Sequence, residues 1–151
     1  MVEEREGFGP PDRASLIAVR DTFCRHEPLV ESMAFDSPLD PQLFAVELSA
    51  GFNEPGRFDV RWSVTDSHCF HYSEPELDFR FDNHPNPHSP RKHFHPPPDA
   101  ESAEPSCIEV ELAERMTLAV IQCWRKAWEN DDPSLLNTVE NIFVKRKISV
   151  R

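Results

Sequence analysis

Between Arg57 and Asp82 apolar and polar residues alternate through three successive runs, and no other stretch limits the fold so strongly. Phe58, Val60, Trp62 and Val64 alternate with Arg57, Asp59, Arg61 and Ser63. His68, Phe70 and Tyr72 then alternate with Cys69, His71 and Ser73, and Leu77, Phe79 and Phe81 with Glu76, Asp78, Arg80 and Asp82. A period of two is that of a strand with one face buried. Asp66–Ser67 and Glu74–Pro75 supply turns between the runs, so they predict an antiparallel meander. Leu43–Ser49 is short and apolar enough to add a strand.

A sheet with one apolar face needs a second layer. Leu112, Met116, Ala119, Val120, Cys123 and Ala127 recur at three- and four-residue spacing, which predicts a helix from Glu109 to Glu129 with Trp124 and Trp128 flanking its stripe. Leu16, Ile17, Val19 and Phe23 predict an N-terminal helix over Arg13–Cys24, capped by Asp12 and stopped by Pro28. Asp132–Pro133 opens a short helix reaching Phe143. The expected fold is α+β: a mostly antiparallel four-stranded sheet packed against a long C-terminal helix, with an N-terminal helix alongside. The 151 residues suit a single domain. Residues 1–12 are expected to be flexible, 83–100 to form a His/Pro-rich loop, and 144–151 to be a basic tail that either touches nucleic acid or closes a homodimer contact.

Charge narrows the setting. Asp and Glu number 27 against 16 Lys and Arg, a net of -11, and only four of the cations are lysine. Such a surface suits a halophilic protein, whose acidic groups hold water while salt screens their repulsion. The same charge works against phosphate binding, although a local basic patch can still act. No run of eighteen apolar residues is present and the start has no signal-peptide core, so the expectation is a cytoplasmic protein with no membrane partner. Cys24, Cys69, Cys107 and Cys123 stand far apart with no C-x-x-C pair, as isolated thiols do.

Chemistry concentrates in one region. Six of the seven histidines, His68, His71, His84, His88, His93 and His95, fall within 28 residues, interleaved with Pro85, Pro87, Pro90 and Pro96–Pro98. Prolines stiffen the chain and hold the imidazoles in place. By strand parity His68 goes with the apolar face, whereas His71 shares a face with Arg61 and Arg80. One chemistry is metal-independent RNA cleavage: His84 or His93 as base, His95 or His71 as acid, Arg80 with Arg91 on the phosphate, and Lys92, Asn83 and His88 also binding substrate. That route needs no cofactor. A second chemistry is zinc held by His93 and His95, with His84, His88 or Asp82 completing the set. Non-catalytic alternatives are a polar brace along the sheet edge, or a protein-binding surface made by the tryptophans.

The segments FRFDNHPNPH at 79–88 and RKHFHPPPDA at 91–100, followed by the helix from about Ile108, resemble the TumE family of toxin–antitoxin proteins in its haloarchaeal form. The resemblance implies a toxin that inhibits growth by attacking RNA, as an endoribonuclease (a hydrolase), silenced by direct binding of a small helix-turn-helix antitoxin. It carries Arg80, Asp82, Asn83, His84, His88, His93 and His95 over as family-level residues, with no residue-level mechanism attached. Two departures stand out. The loop here is richer in proline, and His-Phe-His replaces adjacent histidines.

Overall fold

The computed structural model describes residues 9–83 and 92–138. Helix α1 spans Arg13–His26. The Asp12 side chain caps it by accepting from the Ser15 N–H at 3.4 Å and the Ser15 hydroxyl at 2.9 Å. Beyond His26 the chain turns extended at Glu27, and Pro28 cannot continue a helix. Leu16, Val19 and Phe23 repeat at three and four residues and are fully buried.

Strands β1 (Val30–Phe35), β2 (Phe44–Leu48), β3 (Arg57–Trp62), β4 (His68–Glu74), β5 (Leu77–Asn83), β6 (Lys92–His95) and β7 (Glu104–Pro105) follow. They form one antiparallel sheet in chain order. Helix α2 (Ala113–Glu129) comes next, then a 3-10 turn at Pro133–Leu135 opened by an Asp132 cap. Among the described residues both helices pack on one face of the sheet, giving two layers. Rings continue the core from strand to strand: Phe58 meets Tyr72 at 5.1 Å, Tyr72 stacks on Phe79 at 4.8 Å, and Phe81 meets Phe94 at 4.7 Å. Phe23 reaches Phe58 from α1 at 5.5 Å, and Trp124 reaches Tyr72 from α2 at 6.2 Å. Such tilted and offset contacts add to the area buried by each ring.

The four-stranded sheet expected from the sequence is corrected to seven strands among the described residues. The four expected strands are β2 to β5. Strand β1, VESMAF, sits at the sheet edge with no residue fully buried, so its sequence shows no strong alternation. Strand β6 is only four residues, KHFH, and Pro96–Pro98 follow it at once, which made the whole 83–100 segment read as loop. Its place is fixed by one apolar residue, Phe94, opposite Phe81. Strand β7 is two residues long and carries no pattern.

Helix α2 starts at Ala113 and not at Glu109. The Lys92 ammonium takes the carbonyls of Glu109 and Val110 at 3.2 and 3.0 Å, so those oxygens are satisfied without a helical turn. The tryptophans form no exposed stripe, because Trp124 is 1% exposed and Trp128 stacks on it at 5.4 Å. Of the helix expected up to Phe143, residues from 139 onward lie outside the described residues, as does the basic tail 144–151. At the other end, Pro11 bridges to Ser63 and the Asp12 N–H donates to the Trp62 carbonyl at 2.8 Å, fastening the start of α1 to the end of β3.

Candidate functional site

The face of the sheet that carries no described helix displays the alternate residues of each strand. Register lines them up in two rows. One runs Ala45, Asp59, His71, Arg80, His95 across β2 to β6. The next runs Arg61, Cys69, Asp82, His93, Pro105 across β3 to β7. Strand β6 therefore brings His93 and His95 beside residues contributed by β4 and β5. Both imidazoles project from the same face because they are two apart in an extended strand, with ring centroids 6.1 Å apart.

Asp82 is the hub. Its side chain is 5% exposed, and one oxygen receives the Arg80 Nε and the His95 Nε2, each at 3.2 Å. Burial pushes the Asp82 carboxyl up, but the His95 hydrogen bond, the Arg80 charge and a hydrogen bond from Cys69 outweigh it and hold the group below the ordinary carboxylate range. The Cys69 thiol goes the other way: burial, then the Asp82 charge and hydrogen bond, push it well up, so it stays a neutral donor.

His95 is held from both sides. Its Nδ1 lies 2.9 Å from the Ser102 carbonyl while Nε2 meets Asp82 at 3.2 Å, so each ring nitrogen faces an acceptor. The Ser102 carbonyl is delivered by the segment that joins β6 to β7. His71 is more open, with 38% of its side chain exposed, and its Nε2 lies 3.4 Å from the Asp78 carboxylate. Arg80 is comparably open at 36%.

Other residues singled out in the sequence have different surroundings. His93 is 7% exposed, opposite Asp82. Asn83 is buried on the core-facing parity and donates from Nδ2 to the Asp66 carbonyl at 3.1 Å, closing the β3–β4 turn. Lys92 is tied to the segment before α2, adding a 3.1 Å contact with Glu111. His68 lies in the core, stacked on Trp62 at 4.1 Å. His84, His88 and Arg91 lie outside the described residues. Among the described residues no three His, Cys, Asp or Glu side chains gather to hold a metal ion. Three participants had no signal beyond strand parity or none at all: Cys69, Asp78 and the Ser102 carbonyl.

An antiparallel sheet covered on one face by two helices, with a His–Arg–Asp cluster on its other face, defines the molecule as a two-layer α+β protein bearing a compact charged site. The family model described as Toxin TumE matches residues 20–125, and the chain belongs to the TumE family: it is the toxin of a toxin–antitoxin system. A cognate antitoxin is therefore its counterpart. The match begins within α1 and ends within α2, so it takes in every strand of the sheet. Searches of curated proteins and of solved structures return no match. No helix among the described residues is long and apolar enough to cross a membrane.

Proposed function

We propose that this toxin is an endoribonuclease that cleaves RNA without a metal, using the row His71, Arg80 and His95. The observation that carries the reading is the position of Arg80. It stands directly between the two imidazoles in register, with its Nε and the His95 ring anchored on the same buried carboxylate. With Nε on Asp82, the two terminal nitrogens of Arg80 are left to grip a phosphate. A phosphate held there has one imidazole on each side, across about 10 Å of sheet. In-line displacement needs a base and an acid on opposite sides of phosphorus.

His71 is the base in this reading, since it stands in register beside Arg80 with 38% of its side chain exposed, whereas His93 is 7% exposed. It takes the proton of a ribose 2′-hydroxyl, whose oxygen attacks phosphorus. The bond to the 5′-oxygen breaks, and His95 gives that oxygen the proton of Nδ1, the oxygen taking the place of the Ser102 carbonyl there while Asp82 keeps Nε2. Arg80 stabilises charge as it accumulates on the phosphate. Asp82 does not touch the RNA. It orients His95 and Arg80, with Cys69 donating to it from behind.

The test is cleavage of a mixed single-stranded RNA by metal-stripped protein, with His95→Asn, His71→Asn and His93→Ala beside it, each checked for fold by circular dichroism. Folded His95→Asn and His71→Asn lose at least a hundredfold in rate, the usual size of a general acid–base contribution. Parental activity in both variants would sink this assignment. The antitoxin in this proposal is a small helix-turn-helix protein, as the family resemblance implies, and it silences the toxin by covering the site.

A further inference from the structure

Resting on that reading, we infer that Arg61 is a second phosphate-holding residue, and that the substrate is single-stranded RNA gripped by its backbone across β3 to β5. Arg61 is exposed on the same face as Arg80. It lies diagonally across from His71, a step of roughly 7–8 Å, so the base has Arg80 on one side and Arg61 on the other. The Cα atoms of the two arginines are about 12 Å apart, two strand spacings across and two residues along. Two flexible side chains close that span to the separation of neighbouring phosphates on one strand.

Charge bookkeeping on this face singles out Arg61. Arg57, four residues earlier on β3, is neutralised by Asp59 at 2.9 Å and Glu47 at 3.4 Å. Arg80 spends its Nε on Asp82. Asp59, the acidic neighbour on the strand, is already engaged by Arg57. Among the described residues no carboxylate lies within ion-pair distance of Arg61, and its cross-strand neighbour is the neutral Cys69 thiol. An acidic protein that leaves one guanidinium uncancelled beside its proposed base has a local attraction for phosphate that its net charge hides.

The open face also shows what is not read. No Phe, Tyr or Trp stands on it among the described residues, because every aromatic strand position alternates onto the core side. Base stacking on such rings, the common device of sheet-based RNA readers, has no platform among the described residues of this face. The grip supplied by Arg61 and Arg80 is on the backbone and is tolerant of sequence.

The experiment measures binding of fluorescently labelled single-stranded RNAs by anisotropy over a salt series, and cleavage under the same conditions. The parent is compared with Arg61→Ala, and with Arg57→Ala as a control on the same face. Removing one phosphate contact lowers the slope of log affinity against log salt by about 0.7. Arg61→Ala is expected to show that loss and a severalfold higher KM, with the loss appearing in KM and not in kcat, while Arg57→Ala keeps the parental slope. An unchanged slope in folded Arg61→Ala, or an equal loss in Arg57→Ala, overturns the role of Arg61. A strong preference among poly-U, poly-A and mixed RNAs overturns backbone reading. If the parent binds RNA with the predicted Arg61 effect and cleaves nothing, the binding proposal stands and the catalytic reading falls. A parent that binds no RNA at any salt overturns both.

Discussion

At the residue scale two buried carboxylates do unlike work. Glu74 holds the chain between β2 and β3. It accepts the N–H groups of Phe52, Asn53 and Glu54 at 2.6, 3.0 and 3.1 Å, and the Tyr72 hydroxyl at 2.5 Å. A Cβ at Gly56 would collide with the Tyr72 ring, so that residue must be glycine for the loop to close over it. Replacing Glu74 by Ala strands three amide donors and is expected to cost about 3 kcal/mol of stability in urea unfolding, the size seen when a buried group bonded several ways is lost. Asp82 has a functional setting instead, and its depressed pKa fixes a sign. The unfolded carboxyl titrates near 3.9, so the stabilisation from Asp82 is complete above about pH 4 and fades as pH falls through the lower folded value. Asp82→Asn should therefore cost about 3 kcal/mol at neutral pH and shrink the loss of stability on acidification. A variant whose stability follows the parental acid limb would contradict this account of Asp82.

At the element scale the decisive piece is β6. Phe94 is 3% exposed and packs on Phe81, while His93 and His95 project the other way. One strand thus links core and site. Phe94→Ala is expected to cost roughly 3–5 kcal/mol and to speed hydrogen exchange at the amides of 92–95, checked by mass spectrometry. Exchange accelerating equally over the whole sheet would show that β6 has no separate stability. The sequence made β3, β4 and β5 legible because each alternates over at least five residues and buries its apolar set against helices. Parity alone placed His71, Arg61 and Arg80 on one face and His68 on the other. Strand β6 was hidden by its length and by the prolines after it, since a single phenylalanine establishes no period. The pairing of His95 with Asp82 and Arg80 could not be read, because it depends on that strand's register. Strand β1 was missed for a different reason: an edge strand buries little, so its pattern is weak.

At the scale of the whole molecule two long-range arrangements matter. The Arg125 Nε of α2 meets the buried Glu27 at the end of α1 at 3.5 Å, and Glu27 also accepts the Leu29 N–H at 2.9 Å. This couples the helix layer to the entry of the sheet. The second arrangement is the excess of acidic groups over the whole chain, a net of -11. We propose that the protein is adapted to high salt. Stability measured by circular dichroism is expected to rise from low salt to molar salt as screening relieves repulsion among the carboxylates. A midpoint that does not move with salt would contradict the proposal of halophilic adaptation.

The central claim, that the His71–Arg80–His95 row cleaves RNA through the 2′-hydroxyl, is tested most directly by the chemical nature of the ends it makes. A synthetic oligoribonucleotide would be digested with metal-stripped protein in excess chelator, in salt that keeps the protein folded, and the products weighed by mass spectrometry. The account predicts fragments ending in a 2′,3′-cyclic phosphate paired with fragments beginning in a 5′-hydroxyl, and no cleavage when the nucleotide at the cut carries 2′-deoxyribose. Products with 5′-phosphate ends, or cutting of the deoxy-substituted strand at the parental rate, would contradict it.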